Sequence, residues 1–371
     1  MFDARYVRRR QSGIGRYVDA LLHRLPALLP ESQLRVWSSS DARARHPRFA
    51  NVEYRTVRAD PTAPWSLFFG GTLDPALSRD EVFHSPHNML GFGIASRRCI
   101  TTVHDLMWVT HPEFCEDSPL LRPVRAAFFA LGIERALSTS HTVLTVSRAS
   151  ADAILAHAPR LAGRVVVAEN AADARFRPAA DEAALATRLR TLLGSDAPYY
   201  LVVGQNQPSK GHESAVRAFA AGARPHDRLV LVQRRRSGKG SIFALVRELG
   251  LGSRVLFCPE LTEDDFLRVL QGARALLQPS LAEGFGMPAL EALACGCPVI
   301  ASDIPALVEV VGGAGLHAPV GDVAALADAI RRMDDATLRR ELGAKGVERA
   351  RAYDWDRTAG IVADVYREAA R

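Results

Sequence analysis

Short β-branched apolar runs alternate with helix-patterned stretches along essentially all of the 371 residues. Repeated strand–turn–helix units have few stable packings. Parallel sheets with helices on both faces satisfy them best. In the first half the spacing predicts strands at Leu34–Ser38, Val52–Val57, Glu81–Ser85, Ile100–His104, Thr142–Ser147 and Val165–Ala168. Helices are expected at Gly15–Leu29, Pro119–Ser138 and Ala149–His157, and the first strand is short because Asp3 follows Met1 by two residues. The stretch Asn170–Ala184, with Pro178 among alanines and acids, marks a boundary. A second series follows, with strands at Tyr199–Gly204, Arg228–Gln233, Arg254–Cys258, Ala275–Gln278 and Pro298–Ser302. Its helices fall at His212–Ala221, Ser241–Leu249, Glu263–Gly272 and Pro288–Cys295, and the tail from Asp322 has the helical period almost throughout. The expected fold is α/β, two doubly wound domains over residues 1–172 and 173–355 with a ligand cleft between them.

Composition narrows the class. A chain of this length can bury two cores, and no window approaches the 18 or more apolar residues of a membrane span. The opening Met1-Phe-Asp-Ala-Arg has no apolar signal core, so the expected compartment is the cytoplasm. Five cysteines, at 99, 115, 258, 295 and 297, form no CxxC pair and read as reduced packing residues. Charge is uneven: up to Pro178 there are 23 arginines, no lysine and 17 acids, so the whole net charge of +6 lies in that half. Such a half could meet an anionic membrane or an anionic acceptor. The aromatic fraction is low and no nucleic-acid motif accompanies the charge, so nucleic acid is not an expected partner.

The chemistry concentrates in Glu283-Gly-Phe-Gly-Met-Pro-Ala-Leu-Glu291. Two carboxylates flank a glycine-rich turn that opens a helix, with Pro288 near the first helical position, where its missing N–H costs least. A helix N-terminus offers unpaired N–H groups and a positive dipole end to an anion. The carboxylates would repel that anion but accept hydrogen bonds from hydroxyls. A nucleotide sugar presents both chemistries. Because a strand precedes this loop and another follows its helix, the motif falls at the carboxyl end of a parallel sheet, where such sheets bind ligands.

Three further segments carry polar groups at strand ends. Gln11-Ser-Gly13-Ile-Gly15-Arg-Tyr17 fits a tight turn near an anion but lacks the third glycine of a dinucleotide fingerprint. His104-Asp105 ends a strand, where the aspartate could set the imidazole tautomer and leave the ring to donate to a sugar hydroxyl. Gly204-Gln205-Asn-Gln-Pro-Ser-Lys210-Gly211 ends another, and lysine occurs only at 210, 239 and 345. A cation at that turn would neutralise a diphosphate.

Together these residues resemble the retaining glycosyltransferases of the GT-B fold, family GT4, in its mannosyltransferase-like branch. The matching blocks run in order: Asp3-Ala-Arg5 with Ser12–Tyr17, Val103-His104-Asp105, Thr145-Val-Ser147, Glu169-Asn170 with Phe176-Arg-Pro178, Val203-Gly204 with Lys210-Gly211, and Glu283–Glu291. Glu309-Val-Val-Gly312 and Asp354-Trp355 also fit.

The resemblance implies two Rossmann-like domains, with residues 356–371 crossing back to the first. It implies catalytic roles for Glu283, His104 and Lys210. Donor contacts would come from Gly13, Gly15, Gly204, Gln205, Lys210, Arg234, Gly284, Phe285, Gly286, Met287 and Glu291, with Glu291 on the ribose hydroxyls. The implied co-substrate is a nucleoside diphosphate sugar and the implied acceptor a saccharide or lipid-linked hydroxyl. No cofactor or metal is expected, since no DxD-like pair stands at a strand end. The sequence departs from the family at Gln205 and Ser209, where an arginine is usual, and Arg234, Arg235 or Arg236 would have to compensate. Two other readings are a hydrolysing nucleotide-sugar epimerase and a homologue that binds a nucleotide sugar or partner transferase without turnover.

Overall fold

The computed structural model describes residues 1–8, 12–39, 48–116, 118–232, 240–258 and 261–371. The chain divides into two compact units. Unit 1 is Met1–Pro112, Ser118–Asn170 and Asp354–Arg371; unit 2 is Glu113–Asp117 and Ala171–Tyr353.

Unit 1 is built on strands β1 (Phe2–Asp3), β2 (Leu34–Ser38), β3 (Val52–Thr56), β4 (Val82–Ser85), β5 (Arg98–Thr102), β6 (Thr142–Thr145) and β7 (Val165–Val167). They pair in the order β3-β2-β1-β4-β5-β6-β7, all in parallel. The direction of winding reverses between β1 and β4. Although only two residues long, β1 is central: Phe2 lies beside both Val36 and His84. The expected Gly15–Leu29 helix is two helices, Gly13–Leu22 and Leu25–Leu28, because Pro26 cannot donate to a continuing ladder.

The last helix, Trp355–Ala370, belongs to unit 1 and is tied there by a buried polar chain. The Tyr366 hydroxyl and His84 Nδ1 share a 2.6 Å hydrogen bond, His84 Nε2 meets Thr102 Oγ1 at 2.8 Å, and Thr102 meets the Tyr17 hydroxyl at 3.3 Å. Burial pushes the His84 pKa down to about 3, so the ring is neutral and its two nitrogens are one donor and one acceptor. Arg98 donates to the Ala370 carbonyl at 2.6 Å, and Arg367 to that of Leu28 at 2.6 Å.

Unit 2 holds β8 (Tyr199–Val203), β9 (Arg228–Val232), β10 (Val255–Cys258), β11 (Ala275–Gln278), β12 (Val299–Ser302) and β13 (Leu316–Ala318), ordered β10-β9-β8-β11-β12-β13 and parallel. Its core gathers Tyr200, Val202, Phe219, Leu231, Leu277 and Ile300. The helix Glu182–Leu193, not expected from the sequence, begins in the last three residues of the boundary stretch Asn170–Ala184. Asp181 caps it by accepting from Ala184 N–H, and alanine is the best helix former. Among the described residues no helix is long and apolar enough to cross a membrane, and none of the five cysteines is in a disulfide.

Candidate active site

In unit 2 the sheet order reverses between β8 and β11, so the loops leaving those two strands emerge side by side. One carries Lys210 and the other Glu283. After β8 the chain passes Gly204, at φ +135°, into a 3₁₀ turn at Pro208–Lys210 and then Gly211, at φ +62°, before the helix His212–Gly222. After β11 it runs through Pro279 and Ser280. The two loops are fastened: Leu281 N–H donates to the Ser209 carbonyl at 2.7 Å. They are also pressed together, since a Cβ on Gly211 would stand 2.0 Å from the Pro279 carbonyl oxygen.

This convergence brings Lys210 and Glu283 into contact. The Lys210 ammonium lies 2.7 Å from Glu283 Oε1 and 2.8 Å from Oε2. Ser280 Oγ donates to Oε1 at 2.8 Å and Gln278 Nε2 at 3.1 Å. With its side chain only 8% exposed, Glu283 is a carboxylate held by three neighbours. The sequence reading gave Lys210 to a diphosphate and Glu283 to hydroxyls, as separate partners; here they are first partners of each other. Gln278 and Ser280 were not singled out beforehand. A glutamine ending the otherwise apolar strand Ala275–Gln278 was the available signal. The orientation of its amide is forced, because Oε1 toward the carboxylate would repel it. That leaves Gln278 Oε1 buried and unpartnered.

The Glu283 loop runs into the helix Met287–Ala294. Gly286 caps its start at φ +111°, with no side chain capping the first-turn N–H groups, so the helix start is open to an anion. Beside it Phe285 is buried, edge-on to Tyr353 at 5.6 Å, and Gly284 is buried too, while Met287 is half-buried. Glu291 is only 2% exposed. A carboxylate on a solvated helix face would not be, so the ordinary surface reading of this residue fails. Gln205 is exposed, Ser209 is buried, and Arg234, Arg235 and Arg236 lie outside the described residues. His212 is buried next to Lys210; burial first, and the lysine charge second, bring its pKa down to about 4.

The unit 1 candidates follow β1 and β5. The helix Gly13–Leu22 is capped by Ser12, whose Oγ accepts from Gly15 N–H at 3.1 Å. That N–H is therefore committed to the cap, and Gly13 is the exposed glycine of the turn. His104 is buried, with its pKa brought down to about 4 by that burial. Its Nε2 meets the Pro86 carbonyl at 3.1 Å, and its backbone N–H donates to Asn88 Oδ1 at 2.7 Å. A carbonyl only accepts, so Nε2 carries the proton and Nδ1 is an acceptor. This corrects the sequence expectation twice. Asp105 accepts from Met107 N–H at 3.0 Å while Pro86 sets the tautomer, and the remaining ring nitrogen accepts rather than donates.

Asp3 and Arg5 form a buried two-pronged pair at 2.8 and 2.6 Å, with His87 Nε2 3.4 Å from Asp3. Burial opposes the charge on Asp3, but the Arg5 guanidinium outweighs it and holds the carboxyl well below its usual range. Among the described residues, no three His, Cys, Asp or Glu side chains gather as a metal-binding group.

Comparison with known proteins bears on the family and the fold. Residues 187–349 match the family model described as Glycosyl transferases group 1. The chain is 26% identical over 293 residues to O-antigen chain mannosyltransferase B of Escherichia coli, covering 78% of this chain and 74% of that one. It is 36% identical over 216 residues to a D-inositol 3-phosphate glycosyltransferase of Acidothermus cellulolyticus, covering 55% of this chain but 48% of the relative. In fold it is similar to Anabaena Alr3699/HepE, solved in complex with UDP and glucose, at a TM-score of 0.76 and 18% identity over 99% of this chain and 98% of that one. Residues 187–349 of this chain thus resemble the group 1 glycosyltransferases, and its two parallel sheets are those of the GT-B fold.

Proposed function

We propose that this protein transfers a hexose, mannose or a close relative, from a nucleoside diphosphate sugar to an acceptor hydroxyl, with retention at the anomeric carbon. Its place would be the assembly of a bacterial polysaccharide, lipopolysaccharide or glycolipid. The observation that carries the reading is the meeting, in unit 2, of Lys210, Glu283 and the open start of the Met287–Ala294 helix. A diphosphate takes a point cation together with backbone N–H groups, and a sugar supplies the hydroxyls a carboxylate accepts from. An ammonium has three N–H groups; two toward Glu283 leave one for a phosphate oxygen. As the bond from the anomeric carbon to the phosphate oxygen breaks, charge grows on the diphosphate, where Lys210 and the helix start stabilise it. The new bond to the acceptor oxygen forms on the same face, and the acceptor proton passes to the departing phosphate. In unit 1, neutral His104 offers Nδ1 to a hydroxyl. The name of the E. coli relative supports mannose and a polysaccharide product, and the UDP complex of the Anabaena protein supports the donor class.

The roles of the two glutamates separate by experiment. Glu291→Gln is expected to weaken binding of the free nucleoside diphosphate by about 10- to 100-fold, the worth of a charged hydrogen bond. Glu283→Gln is expected to leave that affinity within about threefold and to lower turnover, because its partners lie on the sugar. Titration calorimetry with the nucleotide reads both, and equal losses would show the assignment to be wrong.

The reaction is proposed to need no divalent cation. Prolonged chelation should leave the rate within about twofold, whereas a collapse rescued by Mn²⁺ or Mg²⁺ would overturn this part of the reading.

One observation favours a second reading, binding without turnover: neither exposed Gln205 nor buried Ser209 supplies a cation beside Lys210. A thermal-shift screen against nucleoside diphosphate sugars finds the donor, at about 2.7 kcal/mol of stabilisation for a hundredfold excess over Kd. Product formation from that donor then rejects the second reading.

A further inference from the structure

Backbone N–H groups stabilise a phosphate only if they are held still, because donors that must first be ordered cost free energy at the moment of binding. In unit 2 those donors lie at Phe285 and Gly286, where the loop enters the helix Met287–Ala294. Two other elements bear on them. The first is the helix Pro305–Val311, whose fully buried Leu307 packs on Gly286 so closely that a Cβ there would stand 2.6 Å from Leu307 Cδ2. The second is Tyr353, also buried, whose ring meets that of Phe285 edge-on at 5.6 Å.

One pair of side chains fastens both elements. A helix of seven residues is too short to persist by itself, so Pro305–Val311 depends on what surrounds it. Its last carbonyls lack partners within the helix. Arg349 supplies them: Nη2 donates to the Glu309 carbonyl, and Nε to that of Val310 at 3.2 Å. The Tyr353 hydroxyl donates to the same Glu309 carbonyl at 3.1 Å and accepts from Arg349 Nη2 at 3.3 Å. A guanidinium there also faces the negative end of the helix dipole. Arg349 belongs to the helix Ala336–Ala350, which is pressed against Met287–Ala294: a Cβ on Gly346 would stand 3.0 Å from Leu293 Cδ2. Two routes therefore reach the donor loop. Tyr353 bears on Phe285 directly, and Arg349 bears on Gly286 through Glu309, Val310 and Leu307.

We propose that Tyr353 and Arg349 are positioning residues for the donor, holding the Phe285 and Gly286 N–H groups where a diphosphate meets them. This role rests on the donor reading given above. It is confined to the phosphate end of the ligand. Glu291, assigned to the ribose, stands more than one turn further along a helix backed by Ala336–Ala350, so its place does not depend on the pair.

Titration calorimetry on the full chain, with GDP against guanosine and UDP against uridine, tests the role well below the melting temperature of every variant. The ratio of diphosphate affinity to nucleoside affinity should fall by at least about tenfold in Tyr353→Leu, and kcat should fall with it. Tyr353→Phe keeps a ring on Phe285 and should hold the ratio within about threefold. Arg349→Gln releases the carbonyls and should again lower the ratio by about tenfold. Residues that merely stabilised unit 2 would lower the melting temperature and leave the ratio where it was. If Tyr353→Leu does not fold, Arg349→Gln decides by the same criterion. An unchanged ratio in the folded variant overturns the role. A native protein that binds neither diphosphate more tightly than its nucleoside overturns the donor reading itself, and this role with it.

Discussion

Lys210→Met should lower kcat by about 100- to 1000-fold, the usual consequence of removing one preorganised charge partner from a developing anion. The same change should also destabilise unit 2, because Glu283 would keep only Ser280 and Gln278 as donors. Breaking a buried pair costs about 3–5 kcal/mol when both groups are dry. The lysine side chain is about a quarter exposed, so a loss of about 1–3 kcal/mol is the appropriate expectation. The double variant Lys210→Met/Glu283→Gln separates the two roles. A neutral amide no longer needs the ammonium, so stability in urea should largely return while the rate does not. Additive stability losses in the double variant would show that the contact is not coupled, and an unchanged rate in Lys210→Met would remove the lysine from the chemistry.

Gly211→Ala should be more damaging than any other single added methyl in this loop. At φ +62° an alanine already pays about 1 kcal/mol for the left-handed conformation, and its Cβ would stand 2.0 Å from the Pro279 carbonyl oxygen. Neither backbone can yield without parting the loops that bring Lys210 to Glu283. A total loss above about 3 kcal/mol is expected, together with a fall in rate. Gly194→Ala provides the control: φ is +64°, it ends the helix Glu182–Leu193, and nothing lies within 4 Å of its added Cβ. That variant should lose only about 1 kcal/mol and keep its rate. If urea denaturation gives equal losses for both, the close approach at Pro279 is not what Gly211 serves.

The period of the apolar pattern was enough to find most strands, since a buried parallel strand is a short unbroken apolar run and reads as one. Leu34–Ser38 and Ala275–Gln278 fall where the pattern placed them. The pattern missed Leu316–Ala318, a three-residue edge strand too short to carry a period, and ran the first two helices together because Pro26 was not weighed.

In the site, sequence spacing pointed to Glu283, Glu291 and Lys210 as polar groups at strand and helix ends. It did not show that Lys210 and Glu283 touch. That contact depends on β8 and β11 being neighbours, and neighbour order follows from sheet topology rather than from local spacing. The tautomer of His104 was misjudged for a related reason. Asp105 is adjacent in sequence, but Pro86, eighteen residues away, is adjacent in space.

The division of the chain into units also bears on synthesis. Unit 2 is almost one continuous segment, Ala171–Tyr353, whereas unit 1 needs Asp354–Arg371 to complete it. A chain emerging from the ribosome presents its N-terminal segments first and usually folds them first. Here the order is inverted. The earlier segments of unit 1 must wait for one made after unit 2, with His84 lacking Tyr366 until the Trp355–Ala370 helix arrives. Until that helix is made, unit 2 already holds its long segment whole, while the centre of the unit 1 sheet lacks the partner of His84.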